Sequence, residues 1–265
     1  MARTVTALAL IVALFALLLS LAAPTAQAKG ATPSGDGFRS RLTLFYGWTN
    51  YKSQSALTNS VTDISGNEIG GRGELEYWLG NRIGLALDGD HISGDMSPAT
   101  AESFRGKPIT QDSVAAELAL KLIGHGNGEN TEVVALAGPG MSFYSDVRSY
   151  SNQGFYDLVR VNVFGARVGA RARLAFEEHF TLQLEGHWFA PLQLLGQTHT
   201  ELDRKHSRNA LGTVSLEYRY QSGVGIGLGG YYSLNRVTYQ PNPAVPPQEV
   251  DFDIAAPFVY LRFGL

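Results

Sequence analysis

The chain has 265 residues, with 21 Lys+Arg against 24 Asp+Glu, and a formal net charge of -3. That near balance argues against a nucleic-acid partner, which requires a basic field. The absence of cysteine excludes disulfides, zinc–thiolate sites, thiol catalysis and a lipidated N-terminal cysteine. With 30 glycines, 28 aromatic residues as 12 Tyr, 13 Phe and 3 Trp, and 17% charged residues, the composition favours β-structure.

The first segment is a targeting signal. Arg3 gives a short positive region, and an apolar run from Ala7 to Ala23 follows. Pro24 then breaks the run ahead of Ala26-Gln27-Ala28, an A-x-A cleavage pattern. Residues 1–28 are therefore expected to be a secretory signal peptide. Residues 29–37, small and glycine-containing, are expected to be a flexible lead-in, and residues 38–265 a single domain.

From there the chain alternates apolar and polar residues. Phe38 to Asn50 places Leu42, Leu44, Tyr46 and Trp48 at period two, with Arg41, Thr43 and Gly47 on the other face. Arg72 to Leu79 and Arg82 to Asp88 flank Gly80-Asn81, a tight-turn pair, and read as a hairpin. Further runs occupy Ser113 to Leu122, Thr131 to Tyr144, Val159 to Phe176, Phe180 to Leu194, Ala210 to Tyr220 and Val224 to Leu234. The last run is Phe252 to Leu265. Polar stretches at 51–70, 93–112, 145–157, 196–209 and 236–250 read as long loops. The connections at 80–81, 123–130, 177–179 and 221–223 read as short turns.

Long and short connections in alternation predict an all-β, transmembrane, up-and-down antiparallel β-barrel of about ten strands, with eight to twelve allowed. Closure satisfies every backbone polar group in lipid. A secreted β-sandwich also alternates, but its strands average only about 5–6 residues.

The chain ends Phe258-Val259-Tyr260-Leu261-Arg262-Phe263-Gly264-Leu265. This resembles the terminal strand of bacterial outer-membrane β-barrel proteins, with Val259, Leu261, Phe263 and Leu265 in phase. The resemblance implies recognition by the barrel-assembly machinery, residence in the cell outer membrane, lipid as the surrounding partner, and a monomer. The family's last residue is most often aromatic, whereas Leu265 is aliphatic.

With the apolar face towards lipid, the other face lines the lumen. It is expected to carry Glu74, Glu76, Asp88, Glu117, Glu185 and Glu217 among the acids. The expected bases are Arg72, Arg82, Lys121, Arg167, Arg171, Arg173, Arg219 and Arg262. Such charges must be paired or hydrated, so the set reads as an interlocked plug or as the lining of a narrow pore for small solutes. Gly225, Gly227 and Gly229 add a wall without side chains, which leaves a slot or makes room for neighbours. Tyr46, Trp48, Tyr77, Trp188, Tyr218, Tyr220 and Tyr232 are expected outside, as aromatic girdles.

No phosphate loop, GxSxG elbow or HExxH is present, and neither a metal nor another cofactor is expected. Asp88-Gly89-Asp90-His91 and Glu185-Gly186-His187-Trp188 place Asp88 with Asp90, and Glu185 with His187, on inward faces. This layout is similar to the omptin surface proteases, which have ten strands, an aspartate pair and an Asp–His pair. The resemblance implies water activation for peptide hydrolysis. Glu185 departs from the pattern, and the predicted strands are too short to lift a site well above the membrane. The expected role is structural or interactional through surface-exposed loops, with a passive pore or an omptin-like protease as alternatives.

Overall fold

In the computed structural model every strand pairs with its neighbours in sequence. The structure describes residues 37–55, 60–95, 108–124, 131–149, 156–176, 179–195, 201–220, 224–240 and 247–264. The proposed signal peptide and nearly all of the lead-in, as well as Leu265, lie outside the described residues. The strands are β1 (Gly37–Ser55), β2 (Ser60–Leu79), β3 (Ile83–Asp95), β4 (Pro108–Ile123) and β5 (Thr131–Ser149), followed by β6 (Tyr156–Phe176), β7 (Phe180–Leu195), β8 (Glu201–Arg219), β9 (Val224–Gln240) and β10 (Gln248–Gly264). They form a closed antiparallel barrel. The seam is β1 against β10, in register from Arg39 opposite Gly264 to Ser55 opposite Gln248.

The burial pattern is inverted relative to a water-soluble protein. Leu228, on the outside, is 65% exposed, whereas Glu217, on the inside, is 1% exposed. Leu85, Leu87, Leu118, Val214 and Val259 also face outward. An exterior of leucine and valine over an interior of carboxylates and guanidinium groups is stable only when lipid is the outer solvent.

The strands are longer than predicted. β2 begins at Ser60 rather than Arg72, β3 continues to Asp95, and β10 begins at Gln248. Much of the predicted loops 51–70, 93–112, 145–157, 196–209 and 236–250 is therefore strand. The 19 residues of β1, at ~3.3 Å each and a tilt of ~40°, rise roughly 48 Å along the axis, against an apolar band of ~25 Å. The barrel wall therefore stands well clear of the membrane, contrary to the short strands expected from sequence.

Arg82 is a second correction. It belongs to the turn Gly80–Asn81–Arg82, not to a strand, and its side chain is exposed. Gly80 adopts φ 76°, a left-handed conformation that glycine accepts readily and that makes this three-residue connection possible. The Arg82 carbonyl accepts from the Lys121 amide at 2.8 Å, which ties the turn to β4.

Candidate functional site

The lower part of the lumen is crossed by an ion-pair network. On β2, Arg72 Nε donates to Asp88 Oδ2 at 2.9 Å, and Arg72 Nη2 reaches across to Glu185 Oε1 of β7 at 2.5 Å. Arg171 of β6 donates Nε to Glu185 Oε2 at 2.8 Å and also bonds Glu76. Arg41 of β1 bonds Glu74 and lies 3.2 Å from Glu185 Oε2. Glu185, whose side chain is fully buried, thus sits among three guanidinium groups. Arg167 links Asp88 at 3.0 Å with Glu117 at 3.3 Å. A buried charge without a partner costs several kcal/mol, so this interlocking is what allows the set to exist at all.

A second group lies at the end of the lumen beside the short turns. Glu132 contacts Arg173 at 2.8 Å, Arg39 at 3.2 Å and Lys121 at 3.2 Å. Buried Trp78 lies under both Arg39 and Lys121, with cation-to-centroid distances of 5.4 and 4.6 Å. Glu217 gathers Tyr260 Oη at 3.1 Å, Arg262 at 3.4 Å and half-buried Arg219 at 3.3 Å. Arg39, Arg41 and Glu132 are absent from the sequence-derived charge set. Arg39 and Arg41 share the phase of inward Thr43, a signal that the sequence did carry. Glu132 falls in a segment that is apolar on both faces, where phase is illegible.

Above the network apolar side chains predominate, with Glu68, Asn162, Asn209 and Asn235 buried among them. Phe45, Ile92, Val161, Val163, Tyr231, Phe252 and Phe258 belong to one buried cluster inside the barrel. Phe45 and Tyr231 stack at 5.1 Å with 9° between ring planes. The glycine wall of β9 is filled, not open. A Cβ on Gly227 would lie 2.2 Å from the Tyr260 ring, and one on Gly229 would lie 2.6 Å from the Phe258 ring. Gly227 and Gly229 make room for aromatic rings of β10, and Gly225 makes room for the Glu217 side chain of β8.

No protein-family model matches the chain, and no curated protein matches it. Solved structures do. The outer-membrane protease OmpT from Escherichia coli superposes with a TM-score of 0.59 at 11% identity, covering 91% of this chain and 100% of that one. OprG from Pseudomonas aeruginosa gives 0.40 at 12%, covering 90% and 99%. The translocator domain of the autotransporter NalP from Neisseria meningitidis gives 0.44 at 10%, covering 98% and 97%. Likeness at these identities is one of fold. The chain has the fold of a bacterial outer-membrane β-barrel. Its lipid-compatible exterior and that fold together place it in the outer membrane.

On the exterior of this outer-membrane barrel, Tyr46, Trp48, Trp188 and Tyr232 lie towards the distal side, and Tyr77, Tyr218 and Tyr220 lie beside the short turns. Trp48 is opposite Asn67 in the register. From Asn67 to Tyr77 along β2 is ~25 Å of axial rise, about the height expected of a lipid-facing band. Tyr218 is half-buried because Phe180 and Tyr220 pack edge-on at 5.3 and 5.1 Å. On β10, Val259 faces outward, and Leu261 and Phe263 share its face, half-buried.

The four omptin-like candidates are all sealed in the lumen. Asp88, Asp90, Glu185 and His187 are each buried. Arg167 Nε donates to His187 Nδ1 at 2.9 Å, so that nitrogen is the acceptor, and Nε2–H donates to Glu185 Oε1 at 2.8 Å. Both ring nitrogens are occupied. A carboxylate oxygen from each of Glu74, Asp88 and Glu185 lies within 4.8 Å of the others, a spacing that would suit a metal ion. Their counter-charge is already present as Arg41, Arg72 and Arg171.

Proposed function

We propose that the chain is a closed, non-conducting outer-membrane barrel that carries its distal connections at the cell surface, in a structural or surface-interaction role. The observation that supports this reading is the two-storey filling of the lumen. An ion-pair layer runs from Trp78 to Asp88, and an aromatic and aliphatic layer lies above it. A solute would have to separate guanidinium–carboxylate pairs and then part a packed cluster of aromatic and aliphatic side chains, and each step carries a large free-energy cost. The connections at 56–59, 96–107, 150–155, 196–200 and 241–246 all leave the end opposite the short turns, so any surface ligand would be met there.

Residues 1–28 act as the cleaved signal peptide in this reading. Val259, Leu261, Phe263 and Leu265 present the signal to the barrel-assembly machinery, and the mature barrel is monomeric in lipid. Peptide hydrolysis is left out. A general base needs a free lone pair within reach of water and substrate, and here Asp88, Glu185 and His187 are engaged by arginine and Asp90 is buried in the lumen.

Proteoliposomes test the assignment. Swelling in isotonic arabinose should match protein-free vesicles, and a panel of surface-cleavable fluorogenic peptides should stay intact. Rapid swelling would establish the narrow pore instead. Peptide cleavage lost in His187→Ala would establish the protease.

A further inference from the structure

Between the two storeys lies a cavity of about 50 Å³. Strand-borne polar residues surround it, among them Asp90, Gln111, Ser113, Ser142, Ser233 and Asn235. Arg167 and His187 line it from the side of the charge network, and Phe189 from the side of the apolar cluster. The volume suits roughly three to five water-sized particles.

Asp90 lacks an arginine partner among the described residues, as does buried Glu68 farther up β2. Asp88 has Arg72 and Arg167 as close partners, and Arg167 also faces Glu117. Asp90 is buried, and no Arg or Lys lies within ion-pairing distance of it among the described residues. The Ser113 hydroxyl donates to one of its oxygens. Its Oδ1 is buried and accepts no hydrogen bond. The charges facing it are Asp88, Arg72 and Arg167, and these are already engaged with one another.

We propose that this cavity binds one small monovalent metal cation, of the sodium class, against Asp90 Oδ1. Hard cations take oxygen ligands, and here one carboxylate on β3 faces serine hydroxyls and carboxamide groups from four other strands; Gln111 Oε1 and Ser233 Oγ each accept from Asn235 and keep a second lone pair. Arg167, which also lines the cavity, is matched by Asp88 and Glu117, so the Asp90 carboxylate is left to balance one positive charge. Divalent sites gather several carboxylates, and this cavity holds one. The cation would neutralise the one lumen acid in this layer that lacks an arginine and would bridge β3, β4, β5, β8 and β9 above the ion-pair layer.

The test is thermal unfolding of the purified full barrel in a non-ionic detergent. Sodium chloride is compared with choline chloride at equal ionic strength and constant pH. Sodium should raise the unfolding temperature saturably, by about 3–5 °C at ten times its Kd, and choline should not. Asp90→Asn should abolish the difference, and Ser142→Ala should shift the midpoint to higher sodium. Broadening of the ²³Na resonance, reversed by excess potassium, gives a readout on the unmodified protein. Equal responses to sodium and choline would overturn the proposal. So would a sodium response that persists in Asp90→Asn, or a saturable response to calcium alone. A stabilisation that tracks falling pH and ignores the cation would mean that a proton, and no metal ion, satisfies Asp90.

Discussion

Arg72 is held by Asp88 on the next strand and by Glu185 across the lumen, and it contacts Glu74 as well. Removing it leaves three carboxylates short of counter-charge in a region where water cannot enter freely. Arg72→Ala should therefore lose about 3–5 kcal/mol in reversible urea unfolding from detergent micelles. Arg236 pairs with Asp251 at 2.6 Å on the outer wall beyond the membrane, with its side chain 43% exposed. Arg236→Ala should cost under about 1 kcal/mol in the same assay. Equal losses for the two variants would show that the lumen is hydrated. Gly227 makes the same point through volume. Gly227→Val drives a branched side chain into the Tyr260 ring, and the expected destabilisation is about 1–3 kcal/mol.

Along a single strand the outer solvent changes, and the pattern of residues changes with it. On β10, Val259 faces lipid while Tyr260 and Arg262 face in; higher up, Phe252 and Ile254 face in, with Asp251 and Asp253 on the opposite face. The apolar residues have exchanged sides at Ala255-Ala256-Pro257. Below that point the barrel is inside-out, and above it the barrel resembles a water-soluble one. Val259 on β10 and Asn50 on β1 both face outward, Val259 opposite Leu44 within the lipid band and Asn50 beyond Trp48. Val259→Arg should cost about 2–4 kcal/mol in vesicles, and Asn50→Arg about 0–1 kcal/mol, because the penalty depends on depth. Similar costs at both positions would put the membrane boundary elsewhere.

This exchange of faces also explains what a sequence reader can see. The period-two runs from Leu42 to Trp48 and from Leu75 to Leu87 lie in the lipid band, so the fold class and the existence of ten strands were legible there. Above the band, outward residues turn polar and inward residues turn apolar. The alternation reverses, and Ser60–Ile69 and the start of β10 at 248–250 read as loop. The inner aromatic layer was illegible for the same reason. Phe45, Tyr231 and Phe252 look like ordinary strand residues until closure places them together. Arg82 was assigned to the lumen because one turn residue was counted as strand. Asp90 stood out only as part of a short acidic motif, and its separation from the arginines needed coordinates.

At the scale of the whole molecule, β1 and β10 close the wall, and two layers of side chains occupy the interior. The wall accounts for residence in lipid. The interior accounts for the predicted lack of transport, since the ion-pair layer and the aromatic layer block different kinds of solute. The measurement that tests this most directly is single-channel conductance of the refolded barrel in a planar bilayer, with insertion confirmed by protection from added protease. The unmodified protein should be silent at moderate voltage in 1 M salt, a probe ionic strength where surface attraction is screened to ~3 Å. Stable current steps from the unmodified protein, changed in size by Arg171→Ala, would show that the charged lumen conducts and would contradict the account.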